Sequence, residues 1–133
     1  MELKKQPDIY TQLLAFQKLG ISIKKDKRNP HFKNDYASLN EVLDKVKDTL
    51  NGLGVFIIQR PKEEGLETAL YHPESSTRLV GIVPFINATD MQKLGGAITY
   101  ARRYALVSML ALEDEDDDGN AASAPAPTPT VRR

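Results

Sequence analysis

The sequence predicts an α+β domain: a small antiparallel three-stranded sheet with flanking helices over residues 1–112, followed by an acidic segment and an Ala/Pro-rich tail over 113–133. Three observations predict it. Two capped, amphipathic helical patterns open the chain. Three short runs of β-forming residues follow, each closed by turn residues. A long helical pattern then completes the domain. Strands separated by so few residues make an antiparallel meander, because parallel strands need a crossover connection. Helices and strands that are segregated, not alternating, define the α+β class.

Asp8 caps a first helix that turns Ile9, Leu13 and Phe16 inward and closes near Gly20. From Ile23 the chain becomes a basic loop. Lys24, Lys25, Lys27 and Arg28 precede Asn29-Pro30-His31-Phe32-Lys33-Asn34-Asp35-Tyr36. Asn-Pro signals a turn, and a residue before proline avoids the helical region. Ser38 and Glu41 then form a capping box, with Leu39, Val42, Leu43, Val46 and Leu50 at helical spacing. That helix ends at Gly52 or Gly54. The strands are Val55–Arg60, Glu67–His72 and Arg78–Phe85, interrupted by Pro61, Gly65 and the turn Pro73–Ser76. Pro84 suits an edge strand, which has no ladder bond to lose.

The last helix starts at Asp90 and directs Leu94, Ile98, Ala101, Ala105, Met109 and Leu112 to the core. Leu106, Val107 and Leu110 fall off that stripe. With an open sheet edge, they predict a homo-oligomer, and a head-to-tail contact between copies would give a ring or a helical filament. The alternative is a monomer whose first helix covers this surface.

Composition excludes several classes. There is no cysteine, hence no disulfide framework and no thiolate metal site. No apolar run could span a membrane, and Met1–Lys5 lacks the apolar stretch of a signal peptide, so a cytoplasmic protein without a membrane partner is expected. Eighteen acids and eighteen basic residues cancel. Six of the acids, however, are contiguous from Glu113 to Asp118, which leaves the preceding domain cationic. Such separation points to a polyanionic partner.

Two regions suit that partner. On the last helix Gly96, Thr99 and Arg103 lie opposite the core stripe with Arg102 on the flank, so two guanidinium groups project beside small residues. Gly95 and Gly96 weaken a helix by up to about 1 kcal/mol each. They would be tolerated where a phosphate chain approaches the backbone near a helix N-terminus. The plainer alternative is two solvated arginines. In the basic loop Lys24, Lys25, Lys27, Arg28 and Lys33 can track phosphates, while His31, Phe32 and Tyr36 lie among them. A ring stacked under a base contributes about 1–3 kcal/mol. The plainer alternative is a flexible loop whose rings anchor it to the core. The Pro-rich stretch after Asn120 reads as an extended linker, which either leads to a further domain or ends the chain.

Three segments in order, Asn29-Pro30-His31-Phe32-Lys33 with Tyr36-Ala37-Ser38-Leu39, Thr99 through Leu106, and Glu115 through Asn120, resemble the signature of the phage essential recombination function (ERF) family. The resemblance covers roughly Ile9 to Asn120. It implies a single-strand annealing protein, not an enzyme, that pairs complementary DNA strands without ATP or another cofactor and assembles into rings or filaments. It also implies a β-β-β-α core similar to that of the eukaryotic annealing protein of double-strand break repair, with the strand in a basic groove beside the sheet. On this chain Arg102 and Arg103 take the helix positions of that groove, and Tyr36 with Lys33 its edge. A phage exonuclease or single-strand-binding protein is the cooperating partner it suggests.

Two rivals have residues behind them. A metal-dependent nuclease would hold magnesium on Glu113 to Asp118, but catalytic ligands converge from separate elements and a contiguous run does not. An RNA-binding module would need exposed aromatics on its strands. Phe56 and Tyr71 are available there, yet their aliphatic neighbours predict burial. The acidic run itself is either a phosphate mimic resting on the basic groove or a solvated linker.

Overall fold

The computed structural model describes residues 6–23, 38–86 and 88–114. The chain runs α1 (Ile9–Lys18), β1 (Ser22–Ile23), α2 (Leu39–Gly52), β2 (Phe56–Pro61), β3 (Leu66–His72), β4 (Thr77–Val83), α3 (Met91–Met109) and β5 (Glu113–Asp114). The α+β class is as predicted. Strands β2, β3 and β4 form one antiparallel sheet in that order, so β2 and β4 are its edges. Strand β4 stops at Val83 rather than Phe85, because Pro84 has no N–H to continue a ladder.

The caps form as the side-chain chemistry requires. The Asp8 carboxylate accepts from the Thr11 amide at 3.0 Å, and that of Asp90 from the Lys93 amide at 2.8 Å. Ser38 and Glu41 close a reciprocal box at 3.2 and 2.7 Å. Helix α1 ends before Gly20, whose φ of +66° suits a residue without a Cβ.

The sheet has two unlike faces, as the twofold alternation of a strand dictates. Ile57, Leu70 and Leu79 pair in register and meet the buried cluster of Ile9, Phe16, Val42, Val46, Leu50 and Leu106. All three helices contribute to that side. Leu106 and Leu110, expected off the main stripe of α3, are buried there as well. Helix α3 contacts α2 as well as β3 and β4.

At one end of the core, the Ile9 amide donates to Thr77 Oγ1 at 2.8 Å, Thr77 meets Ser75 Oγ at 2.6 Å, and Ser75 meets His72 Nδ1 at 2.7 Å. His72 is buried within this chain of hydroxyls. Its role is to fasten α1 to the β3–β4 turn.

The opposite face of the sheet carries three cross-strand rows: Phe56, Tyr71 and Arg78; Ile58, Ala69 and Val80; Arg60, Glu67 and Ile82. No described element covers them. Phe56 is 40% exposed and Ile82 49%. The prediction that Phe56 and Tyr71 are buried is therefore corrected. Their aliphatic neighbours lie on the same solvent-facing side, and the two rings stack on each other at 5.2 Å.

One element was missed. Ser22–Ile23 and Glu113–Asp114 pair in parallel, bringing the chain entering the basic loop beside the start of the acidic run. Two-residue strands leave no periodicity to read. Among the described residues no helix is long and apolar enough to cross a membrane.

Candidate nucleic-acid interface

The candidate site is built on α3, whose two halves differ. From Ala101 onward the helix is packed into the core; from Met91 to Tyr100 none of its residues is fully buried. Leu94, Ala97 and Ile98 of that first half are half-buried. A Cβ placed on Gly95 or Gly96 would meet nothing within 4 Å, so the fold itself gives no steric reason for either glycine. Thr99 is exposed on this half.

Arg102 is held by a network that begins on β2. Gln59 donates through Nε2 to Thr68 Oγ1 at 3.0 Å and to the Arg102 carbonyl at 3.1 Å. Arg102 Nε donates back to Gln59 Oε1 at 3.2 Å. Thr68 is fully buried, and Gly81 lies opposite it in register. A Cβ at Gly81 would come within 3.2 Å of Met109 Sδ, so α3 sits close against β4 at this level. The guanidinium of Arg102 is thereby aimed by an amide anchored in the sheet. Among the described residues its terminal nitrogens have no hydrogen-bond partner.

Arg103 departs from expectation. It is only 8% exposed, although it shares a face of the helix with the exposed Gly96 and Thr99. It shares its side of α3 with Leu106 and Leu110, at spacings i, i+3 and i+7, and that side is packed in the core cluster. The helical projection was right; the extent of burial was not, because helical period places a residue on a face without saying what packs against that face. Lys24, Lys25, Lys27, Arg28, His31, Phe32, Lys33 and Tyr36 lie outside the described residues, as do Glu115 to Asp118.

Arg60 and Lys62 are already engaged. Arg60 Nη2 lies 2.7 Å and Lys62 Nζ 3.3 Å from the carboxylate of Glu67 across the β2–β3 hairpin. The Arg60 hydrogen bond holds the Glu67 carboxyl below its ordinary pKa. The clasp is present at neutral pH and is lost as pH falls through that depressed value. Among the described residues no three His, Asp or Glu side chains gather as a metal site.

Sequence reasoning missed Gln59, a polar residue inside a β-rich run whose partner is distant in sequence. It also missed what lines the outer side of α3. There Tyr100 and Tyr104 stack one turn apart, ring centroids 5.6 Å, and face a groove of about 590 Å³. The aromatic spacing i, i+4 was the available signal.

A family model described as the ERF superfamily matches residues 9–131. No curated protein and no solved structure matches the chain.

Proposed function

The chain belongs to the ERF superfamily, and from that premise we propose that it binds single-stranded DNA and anneals complementary strands without ATP, as an assembly of several copies. The observation that carries this reading is the extent of the match, residues 9–131 of 133. The proposed setting is phage-type recombination in the cytoplasm of a bacterial host, with an exonuclease or single-strand-binding protein as cooperating partner.

Annealing makes and breaks no covalent bond, so no nucleophile, acid–base pair or cofactor is needed. Two phosphate chains must be brought together and one strand held with its base edges free. Cations do the first by releasing counterions, which makes affinity strongly salt-dependent. Arg102 is the described residue best placed for this, with Thr99 beside it on the exposed half of α3; the lysines and Arg28 of the 24–33 segment would extend the track. Linking many weak sites along one strand does the second. The expected result is binding of a labelled oligonucleotide that weakens steeply between roughly 50 and 200 mM salt, as several neutralised phosphates require. Strand pairing is expected with neither ATP nor magnesium. Absence of binding at low salt removes the reading. Cleavage of the DNA on adding magnesium would favour the nuclease instead.

Assembly is supported by the open sheet face. Phe56, Ile58, Val80 and Ile82 form an apolar surface there. The segments outside the described residues, rich in charge or in Ala and Pro, offer little apolar matter to cover it. A second copy supplies what is needed, and the two edges β2 and β4 allow a head-to-tail arrangement. Ile58→Lys with Ile82→Lys is expected to reduce the sedimenting species to smaller ones while the circular dichroism spectrum is retained. An unchanged sedimentation profile assigns assembly to another surface.

The stacked pair of exposed Phe56 and half-buried Tyr71 also restores a second reading, a sheet-surface RNA binder. Tighter binding of single-stranded RNA than of DNA with the same sequence would select it.

A further inference from the structure

The outer side of α3 and the chain leaving β4 enclose the groove of about 590 Å³, within the range of roughly 300–1,000 Å³ typical of ligand clefts. One wall is Pro84 and Ile86; the other is Lys93, Ala97, Tyr100 and Tyr104. The helical wall follows the spacing i, i+4, i+7, i+11, so all four residues share one face of α3. At about 1.5 Å per residue it runs for roughly 16 Å.

Three features define the occupant. Tyr100 is 55% and Tyr104 51% exposed, and their rings stack on each other within 15° of parallel, so a further flat ring can extend the stack. Ala97 leaves depth between Lys93 and the rings. Among the described residues of the lining, Lys93 is the one that carries a charge, and none is a carboxylate. A flat, π-faced group carrying a negative charge fits; an apolar helix of another copy would leave the lysine without a partner. The Phe56–Tyr71 pair is a poorer platform, because it lies on a flat face and Arg78 already sits 5.9 Å over the Tyr71 ring.

We propose that this groove receives unstacked bases of a single DNA strand, with Tyr100 and Tyr104 as the stacking surface and Lys93 at a phosphate. The inference rests on the annealing reading and names a base-contacting site for it, on the side of α3 away from Arg102. Bases held this way leave their pairing edges accessible, which annealing requires. Stacking on a ring is tolerant of base identity, so the site would work on any sequence.

The test compares an oligothymidylate with an abasic oligonucleotide of equal length, by anisotropy at fixed salt. The native chain is expected to bind the thymidylate more tightly than the abasic strand. Tyr100→Ala with Tyr104→Ala should weaken thymidylate binding at least about tenfold and leave abasic binding unchanged, while Tyr→Phe at both positions restores the preference. The chain has no tryptophan, so quenching of tyrosine emission by the strand is a second readout. Lys93→Ala should lower the salt slope by about 0.7 for either strand. Equal binding of both strands by the native chain and the alanine variant overturns the site but leaves the annealing reading intact. Loss of both strands together with a smaller sedimenting species makes the groove an interface between copies and also overturns it. Failure of the native chain to bind either strand overturns the annealing reading and the site with it.

Discussion

Gly65→Ala is expected to destabilise the domain by about 2–5 kcal/mol, read as a fall in the urea midpoint. Gly65 closes the β2–β3 hairpin, where the Lys62 amide donates to its carbonyl at 2.8 Å and its own amide donates to that of Lys62 at 3.2 Å. Its φ is +148°, a region L side chains rarely enter. Space is as restrictive as conformation. A Cβ there would lie 2.2 Å from the Val83 carbonyl oxygen and 2.6 Å from Pro84 Cα, both backbone atoms that no rotamer change can move. Relief requires the end of β4 to separate from β3, at Leu66↔Val83. Gly20→Ala is the internal control. Gly20 also has positive φ, but nothing lies within 4 Å of its would-be Cβ, so only the conformational cost of about 1–2 kcal/mol remains. Equal effects at the two positions would show that contact with Val83 and Pro84 is not the cause. The Gly65 variant should also weaken the Tyr100 groove, because Pro84 forms part of its wall.

Arg103→Ala is expected to lower stability by about 2–4 kcal/mol, whereas Arg102→Ala should change it by less than about 1 kcal/mol and weaken single-strand binding. The contrast follows from position. Arg103 is buried on the side of α3 that carries Leu106 and Leu110, and it is not without a partner in the chain. Truncation removes that interaction and opens a cavity in packed surroundings. Arg102 lies across α3, half-buried, with its backbone and Nε held by Gln59. Losing its side chain returns one amide to solvent and removes a cation from the proposed phosphate track. Thermal unfolding followed by circular dichroism measures the first effect, and oligonucleotide anisotropy across a salt series the second. A double alanine variant confounds the two, since part of its lost affinity would reflect unfolding. If Arg103→Ala unfolds as the native chain does yet binds DNA less tightly, Arg103 belongs to the interface after all.

Much of the fold was legible because it rests on local chemistry. Asp8, Ser38 with Glu41, and Asp90 each satisfy amides three residues away, and such spacings can be read directly from sequence. The meander was equally legible, since turn residues alone separate its strands. The stripe Leu39, Val42, Leu43, Val46 and Leu50 held for the same reason. The misses have long-range causes. Whether Phe56 and Tyr71 are buried depends on which face of the sheet the helices choose. Burial of Arg103 depends on what packs against that side of α3, which the helix's own period does not state. Gln59 acquires its role only where Arg102, far along the chain, comes within 3.2 Å.

By itself, then, the order of residues determined the caps, the helices, the three-stranded meander and the motifs that place the chain in its family. Each of these is a relation between near neighbours, or a pattern repeated along one element. Tertiary packing decided which of two adjacent arginines is the more deeply buried, which side of the sheet stays uncovered, and that two tyrosines would border a cleft. Those outcomes turn on which surfaces meet. A periodic pattern states how many sides an element can bury, but only its neighbours in space determine which sides they are.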